Sequence, residues 1–383
     1  MEAIFWISFA LLFYTYVGYP FSLMIIGCFR RKPVYRKRIH PKLSIIIAAH
    51  NEQAGVRLKL ANTLSLHYPK DRLEIILVSD GSTDRTAEIA SEFEAAGVRC
   101  LVINEWVGKS IALNHAVRFA KGEILVFTDI GALAEPNCLE ELVSNFADPT
   151  VGCVSAENHV LAQGSGASEG TYMKYLMWLR RLESRIGSCT CVCGSFYAIR
   201  RELCPIFIPH AATDLLSVLE TVKRGYRTIS DPLAHANIGA VRTQREEFQR
   251  KFRTVLLGVA CLPYMLPLLN PIRSGLFSLE LLSHKILRWS GAVFLVSLLS
   301  ANAFIYGISD LYKVALGIQL IFYTLAFLGA ISEGLAAKLA IVRIPYFLIH
   351  THFSALVACW KYARGERISV WQPSKRPLEG IST

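Results

Sequence analysis

Between Ala3 and Phe29 the chain has no Asp, Glu, Lys or Arg, and four more such runs lie toward its C-terminal end. A helix that crosses a bilayer needs about 20 apolar residues, so Ala3–Phe29 is long enough. Directly after it come Arg30, Arg31, Lys32, Arg36, Lys37, Arg38 and Lys42. A cleaved secretory leader has an apolar region of only about 7–15 residues, with its charge in front. The pattern here is that of an uncleaved anchor, with its N-terminus outside and the basic cluster in the cytoplasm. Trp289–Ser309 and Val314–Ser332 are also long enough to span, and Asp310–Lys313 suits a tight outside turn. Ile344–Trp360 is shorter and contains Pro345, His350 and His352. The basic tail with Lys361, Arg364, Arg367, Lys375 and Arg376 belongs in the cytoplasm, which favours an interfacial Ile344–Trp360. Thr254–Ile272 holds Pro263, Pro267 and Pro271. Each removes a helical hydrogen bond, so a broken, interfacial or re-entrant segment is expected there. The chain is 52% hydrophobic and 19% charged with net charge +11, which excludes a disordered tail or a nucleic-acid arm.

From Lys42 to about Ala240 the texture changes. Leu43–Ala48, Glu74–Ser79, Arg99–Ile103 and Glu123–Thr128 read as buried strands. Helical patterns lie between them, near Gln53–Leu66, Asp84–Ala95 and Ser110–Ala120. Strands alternating with helices predict a mostly parallel sheet in an α/β domain. Ligands of such sheets bind beyond the carboxyl ends of the strands. There the sequence places Ala49-His50-Asn51-Glu52, then Asp80-Gly81-Ser82-Thr83-Asp84, then Asp129. Asp84 is equally well explained as a helix cap. Carboxylates gathered at one edge repel each other unless a cation or donors lie between them. No Gly-x-Gly-x-x-Gly follows the first strand, and no Walker lysine motif is present.

These residues give the chain a resemblance to the family 2 (GT-A fold) membrane glycosyltransferases, similar to polysaccharide synthases of the cellulose, hyaluronan and poly-N-acetylglucosamine type. The segments that carry it are Ser44–Glu52, Tyr68–Thr86, Gly108–Val117, Gly122–Asp129, Cys193–Leu203, Ala212–Leu216, Lys223–Pro232 and His284–Trp289. The resemblance implies a GT-A nucleotide-sugar-binding domain flanked by membrane helices, an inverting transfer, and Mg²⁺ or Mn²⁺ as cofactor. It implies a nucleotide-binding set of Ala49, Asn51, Glu52, Asp80, Ser82, Lys109 and Asp129, with Ser110 beside Lys109 and Asp129 also at the metal. Asp214 would be the general base, and Gly194, Ser195 and Thr213 would line the acceptor site. Arg250 and Arg253 would meet the diphosphate, or else lipid headgroups. Two departures stand out. The sequence reads Asp129-Ile130-Gly131 instead of Asp-x-Asp, leaving phosphates, water or a histidine such as His235 to complete a metal site. Gln249–Thr254 lacks the tryptophan of the processive synthases' Gln-x-x-Arg-Trp motif.

The implied organisation is an anchor over 1–29, a basic cytoplasmic linker over 30–42 and a GT-A domain over 43–240. An interfacial segment follows over 241–285, then membrane helices over 286–360 and a basic cytoplasmic tail over 361–383. The expected protein is a multi-pass plasma (inner) membrane enzyme with its catalytic domain in the cytoplasm. Its expected partners are a UDP-sugar donor, a glycan or lipid-linked acceptor, membrane lipid and export or polymerisation proteins, but no nucleic acid. Two other readings are a polyprenyl-phosphate glycosyltransferase and a non-catalytic nucleotide-sugar-binding subunit of a synthase complex. Cys189, Cys191 and Cys193 read as small packing residues. Tyr175, Trp178, Arg180 and Arg181 read as part of an amphipathic helix lying on the membrane.

Overall fold

The computed structural model describes residues 1–161, 167–239 and 244–368. The domain boundary at 240/241, Arg242, Lys375 and Arg376 lie outside the described residues. Strand β1 (Leu43–Ala49) is buried at every position. Its apolar side chains point to both faces, so it needs a helix layer on each side. It runs parallel to β2 (Leu73–Asp80) on one flank and to β4 (Ile124–Asp129) on the other. β3 (Val98–Ile103) extends the parallel part beyond β2. The helix Val56–Leu64 covers one face, where Val56 and Leu60 meet Ile45, Ile47 and Leu77. The helix Lys109–Phe119 covers the other, where Ala112 and Leu113 meet Ile46, Ile76 and Phe127.

Among the described residues the sheet is mixed and mostly parallel, with Phe196–Arg200 and Ala132–Ala134 the strands that run against the rest. Its order is β3-β2-β1-β4-β7-β6-β8-β5. β7 (Phe196–Arg200) runs antiparallel between β4 and β6 (Val151–Leu161). β8 (Arg227–Gly239) is parallel to β6 and antiparallel to the short β5 (Ala132–Ala134). The reversal brings the start of β7 beside the end of β4, with Thr128 opposite Phe196. The functional edge is therefore built from strand ends on one side and a strand beginning on the other.

Among the described residues three helices are long and apolar enough to cross a membrane: Glu2–Phe29, Asp310–Ile331 and Ala340–Ala363. Two further pairs qualify only as bent units, Glu246–Val259 with Leu262–Leu269 and Leu276–Leu287 with Gly291–Ile305. The first pair breaks where Pro263 enters, as the proline spacing predicts. Glu2–Phe29 contains a π-helical turn over Tyr14–Gly18. The long helix Ala167–Ile186 packs between the sheet and this N-terminal helix, with Leu179, Leu182 and Ile186 against Tyr19 and Leu23.

Candidate active site

The register of β1, β2 and β4 aligns their carboxyl ends, pairing Ala48 with Asp129 and Ala49 with Ser79. Beyond them the chain turns sharply. Asn51 takes a left-handed backbone (φ 52°), and its Oδ1 accepts from the Thr83 amide at 2.8 Å. The Ser82 hydroxyl accepts from the Asn51 amide at 3.2 Å. Asp84 accepts from the Gln53 amide and from Thr86, which ties the two loops together; the N-cap of the helix Thr86–Ser91 is Arg85, not Asp84.

Asp80 is 1% exposed. Its two carboxylate oxygens accept from the amides of Val107 and Gly108, each at 2.9 Å. Burial raises its proton affinity, against the lowering effect of these two bonds. Asp80 therefore anchors the loop that leads into Lys109. Gly81 (φ 56°) is required there, because a Cβ would strike the Trp106 backbone. Trp106 stacks on His50 at 4.0 Å between ring centroids and 5° between planes. Trp106 was not singled out from the sequence.

Asp129 is the centre of charge. Lys109 Nζ donates to its Oδ1 at 2.5 Å. The Asp129 amide donates to the Ser195 carbonyl at 3.1 Å, a contact made possible by the antiparallel β4–β7 pair. Glu52 faces Asp129. Its proton affinity is pushed up to about 7, first by burial and then by Asp129 and Asp84. Lys59 lies beneath, 0% exposed, with Nζ donating to Thr128 Oγ1 at 2.7 Å and to the Ala132 carbonyl. Burial lowers its pKa to about 7, and Asp129 opposes that shift. Lys59 was not singled out from the sequence. Its signal was there: it shares the apolar helix face of Val56, Leu60 and Thr63, all buried.

On the other side of Gly194–Ser195 stands Asp214, in the first turn of the helix Thr213–Lys223. A Cβ at Gly194 would lie 3.0 Å from Asp214 Oδ2, so glycine lets the carboxylate approach the backbone. Ser195 Oγ donates to Asn158 Oδ1 at 2.9 Å. One cavity of about 490 Å³ is lined by Glu52, Lys109, Ser110, Asp129, Gly194, Ser195, Thr213, Asp214, Arg250 and Arg253. Ala49, Asn51, Asp80 and Ser82 do not line it; they shape the loops behind it.

Three expectations are corrected. His235 is absent from the cavity wall and stacks on His159, 4.2 Å between ring centroids. Arg180 does not lie on a membrane surface: it is 7% exposed and donates to Cys193 Sγ at 2.7 Å and Cys191 Sγ at 3.3 Å. Cys191 and Cys193 thus accept from a guanidinium instead of only packing. Arg181 pairs with the buried Glu157. Trp289 lines the cavity and packs over Gly258.

The fit of a divalent cation can be judged from the donors present. Among the described residues no three His, Cys, Asp or Glu side chains converge. Asp129 and Glu52 are the carboxylates at hand. A hard cation held by one or two carboxylates and completed by phosphate oxygens needs no more. Burial first, and then the neighbouring charges of Asp129 and Asp84, raise the proton affinity of Glu52, and a bound cation would oppose that shift.

Comparison with known proteins agrees with this geometry. Residues 44–205 match the model for glycosyl transferase family 2. A probable glycosyltransferase, YdaM, of Bacillus subtilis (strain 168) is 36% identical over 140 residues, covering 34% of this chain and 33% of the relative. A beta-monoglucosyldiacylglycerol synthase of Nostoc sp. is 29% identical over 188 residues, 45% of this chain and 39% of the relative. The chain thus spans well under half the length of these two relatives. A mannosyltransferase from Pyrobaculum calidifontis, solved with GDP-Man and Mn²⁺, superposes with a TM-score of 0.71 at 23% identity. That superposition covers 96% of this chain and 99% of the other, and establishes a shared GT-A fold with a mixed sheet. The segment that matches the glycosyl transferase family 2 model runs from β1 past β7 and carries Glu52, Lys109, Asp129 and Ser195.

Proposed function

We propose that this chain transfers a sugar, with inversion, from a nucleoside-diphosphate donor to a hydroxyl of a glycan or lipid-linked acceptor at a membrane surface. The observation that carries the reading is the pair of acids flanking Gly194–Ser195 in one cavity: Asp129 with its lysine on one side, Asp214 on the other. Lys109, Arg250 and Arg253 supply positive charge for the diphosphate. Asp129 and Glu52 would hold Mg²⁺ or Mn²⁺, which when bound stabilises charge on the leaving diphosphate. Asp214 takes the acceptor proton as the hydroxyl oxygen bonds to the anomeric carbon and the bond to the diphosphate breaks. The donor's configuration is thereby inverted. The catalytic domain is assigned to the cytoplasm by the basic residues that follow Phe29.

Nucleotide release from a panel of UDP- and GDP-sugars, with Mn²⁺ or Mg²⁺, tests the reading. Replacing Asp214 by Asn removes the base and is expected to lower turnover by about 10²–10⁴-fold with a hydroxyl acceptor. A lipid phosphate is already an anion, so activity kept in Asp214→Asn with that acceptor supports the polyprenyl-phosphate reading instead. Nucleotide binding with no turnover of any donor overturns the enzyme reading in favour of a binding subunit.

A further inference from the structure

The cavity does not end at Asp214. It continues between the domain and the apolar helices, where its wall includes Tyr16 of the N-terminal helix, Leu176, Trp289 and Ala355. Three cations line this inner end: Arg180, Lys285 and Arg288. Among the described residues none of the three forms an ion pair with a carboxylate. Arg180 spends its hydrogen bonds on the two thiols. Arg288 donates to Tyr172 Oη at 2.7 Å, and its guanidinium lies 5.7 Å from the Tyr16 ring and 5.5 Å from the Tyr172 ring. The carboxylate on the neighbouring helix, Glu183, is already engaged by Tyr19, Thr190 and His284. Cys191 sits where the cations meet, and its thiol pKa is lowered by Arg180 and Lys285 against the effect of burial.

A charge withdrawn from water without a counter-ion is costly, and the chain places three cations on one wall, Arg180 buried and Lys285 and Arg288 half-buried. An anion entering the cavity removes that cost. The donor diphosphate does not fill this need, because Arg250, Arg253 and Lys109 serve the Asp129 side. Guanidinium groups suit phosphate oxygens, which they bind in bidentate fashion. The apolar wall beside Tyr16, Leu176 and Ala355 suits hydrocarbon.

We propose that Arg180, Lys285 and Arg288 form a subsite for a phosphate on the acceptor, and that this acceptor is a phosphate-bearing membrane lipid whose hydroxyl reaches Asp214. The proposal rests on the function above and names its acceptor class. It is tested on the full chain by native mass spectrometry with phosphatidylglycerol and with diacylglycerol of the same acyl chains. Phosphatidylglycerol is retained at least tenfold better by the unmodified chain, and Arg288→Gln and Arg180→Gln each lose that preference. Nucleotide binding by each variant verifies that its domain is folded, and Lys285→Gln replaces any variant that is not. Equal retention of the two lipids, or an unchanged preference in every folded variant, overturns the proposal. Inorganic phosphate that binds to the chain while phosphatidylglycerol does not overturns the lipid part. Lipid preference with no nucleotide release from any donor leaves the subsite standing and removes the transferase reading, so the two failures are distinct.

Discussion

Glu52 is where the electrostatics make the plainest demand. Its folded pKa near 7 exceeds the ordinary value of 4.5, so folding favours its protonated form. The stability this contributes is fully present below about pH 4.5 and is lost as pH rises through about 7. Glu52→Gln is neutral throughout. Its melting temperature should therefore rise relative to the unmodified chain from pH 4.5 to 7, then level off. Mn²⁺ favours the ionised carboxylate, so in its presence the unmodified chain should show the transition at lower pH. Thermal melts across pH, with and without Mn²⁺, measure both effects; a difference that stays flat between pH 4.5 and 7 contradicts the assignment. Asp129 differs in kind, because it is already paired with Lys109. Asp129→Asn should reduce metal-dependent nucleotide release while leaving release without metal, if any, nearly unchanged.

At the scale of elements, the parallel half of the sheet was legible in the sequence because its strands are continuous apolar runs. β1 to β4 fall within a residue or two of the expected positions. The other half was not. β6 reads VGCVSAENHVL and β8 reads RTISDPLAHANIG, mixing polar residues and a proline into strands whose mutual register is broken by bulges. Their pairing depends on contacts distant in sequence, which periodicity does not carry. The same limit hid half of the site. Asp129 and Asp214 stood out as acids at motif positions, but Arg180 and Arg288 become cavity residues only through the packing of Ala167–Ile186 against the apolar helices. Gly81 was visible as part of a turn, and its reason is steric: the Trp106 backbone occupies the space of a Cβ. Gly81→Ala should therefore lower stability by about 2–3 kcal/mol, from left-handed strain plus displacement of the 106–108 loop. Chemical denaturation measures it, and a loss under 0.5 kcal/mol would show that the loop yields freely.

For the whole molecule, the contacts of the last long helix bear on its orientation. Ala340–Ala363 passes the length and apolarity criteria for a span, yet its mean hydropathy is 1.3 against 2.1 for Asp310–Ile331. Phe5 and Trp6, near the N-terminus of the anchor, pack against Tyr312, and Phe5 also clusters with Ile305. Those residues mark one level, the outer one if the anchor enters from outside. Tyr346 and Val342 face Gly329 near the far end of Asp310–Ile331. His352 bonds Tyr16 and packs on Gly291, at the start of Gly291–Ile305. Thr351 accepts from Lys251, and Lys361 lies 5.5 Å from the Phe252 ring, on the helix that carries Arg250 and Arg253 to the site. These contacts of the last helix lie at the level of the catalytic domain. The arrangement favours an interfacial Ala340–Ala363, three crossings, and a C-terminus on the same side as the active site. A reporter fused after Thr383 should accordingly give a cytoplasmic signal in intact cells, and so should one inserted at Lys37. Opposite signals from the two positions would turn Ala340–Ala363 into a true span and detach the inner cavity wall from the membrane surface.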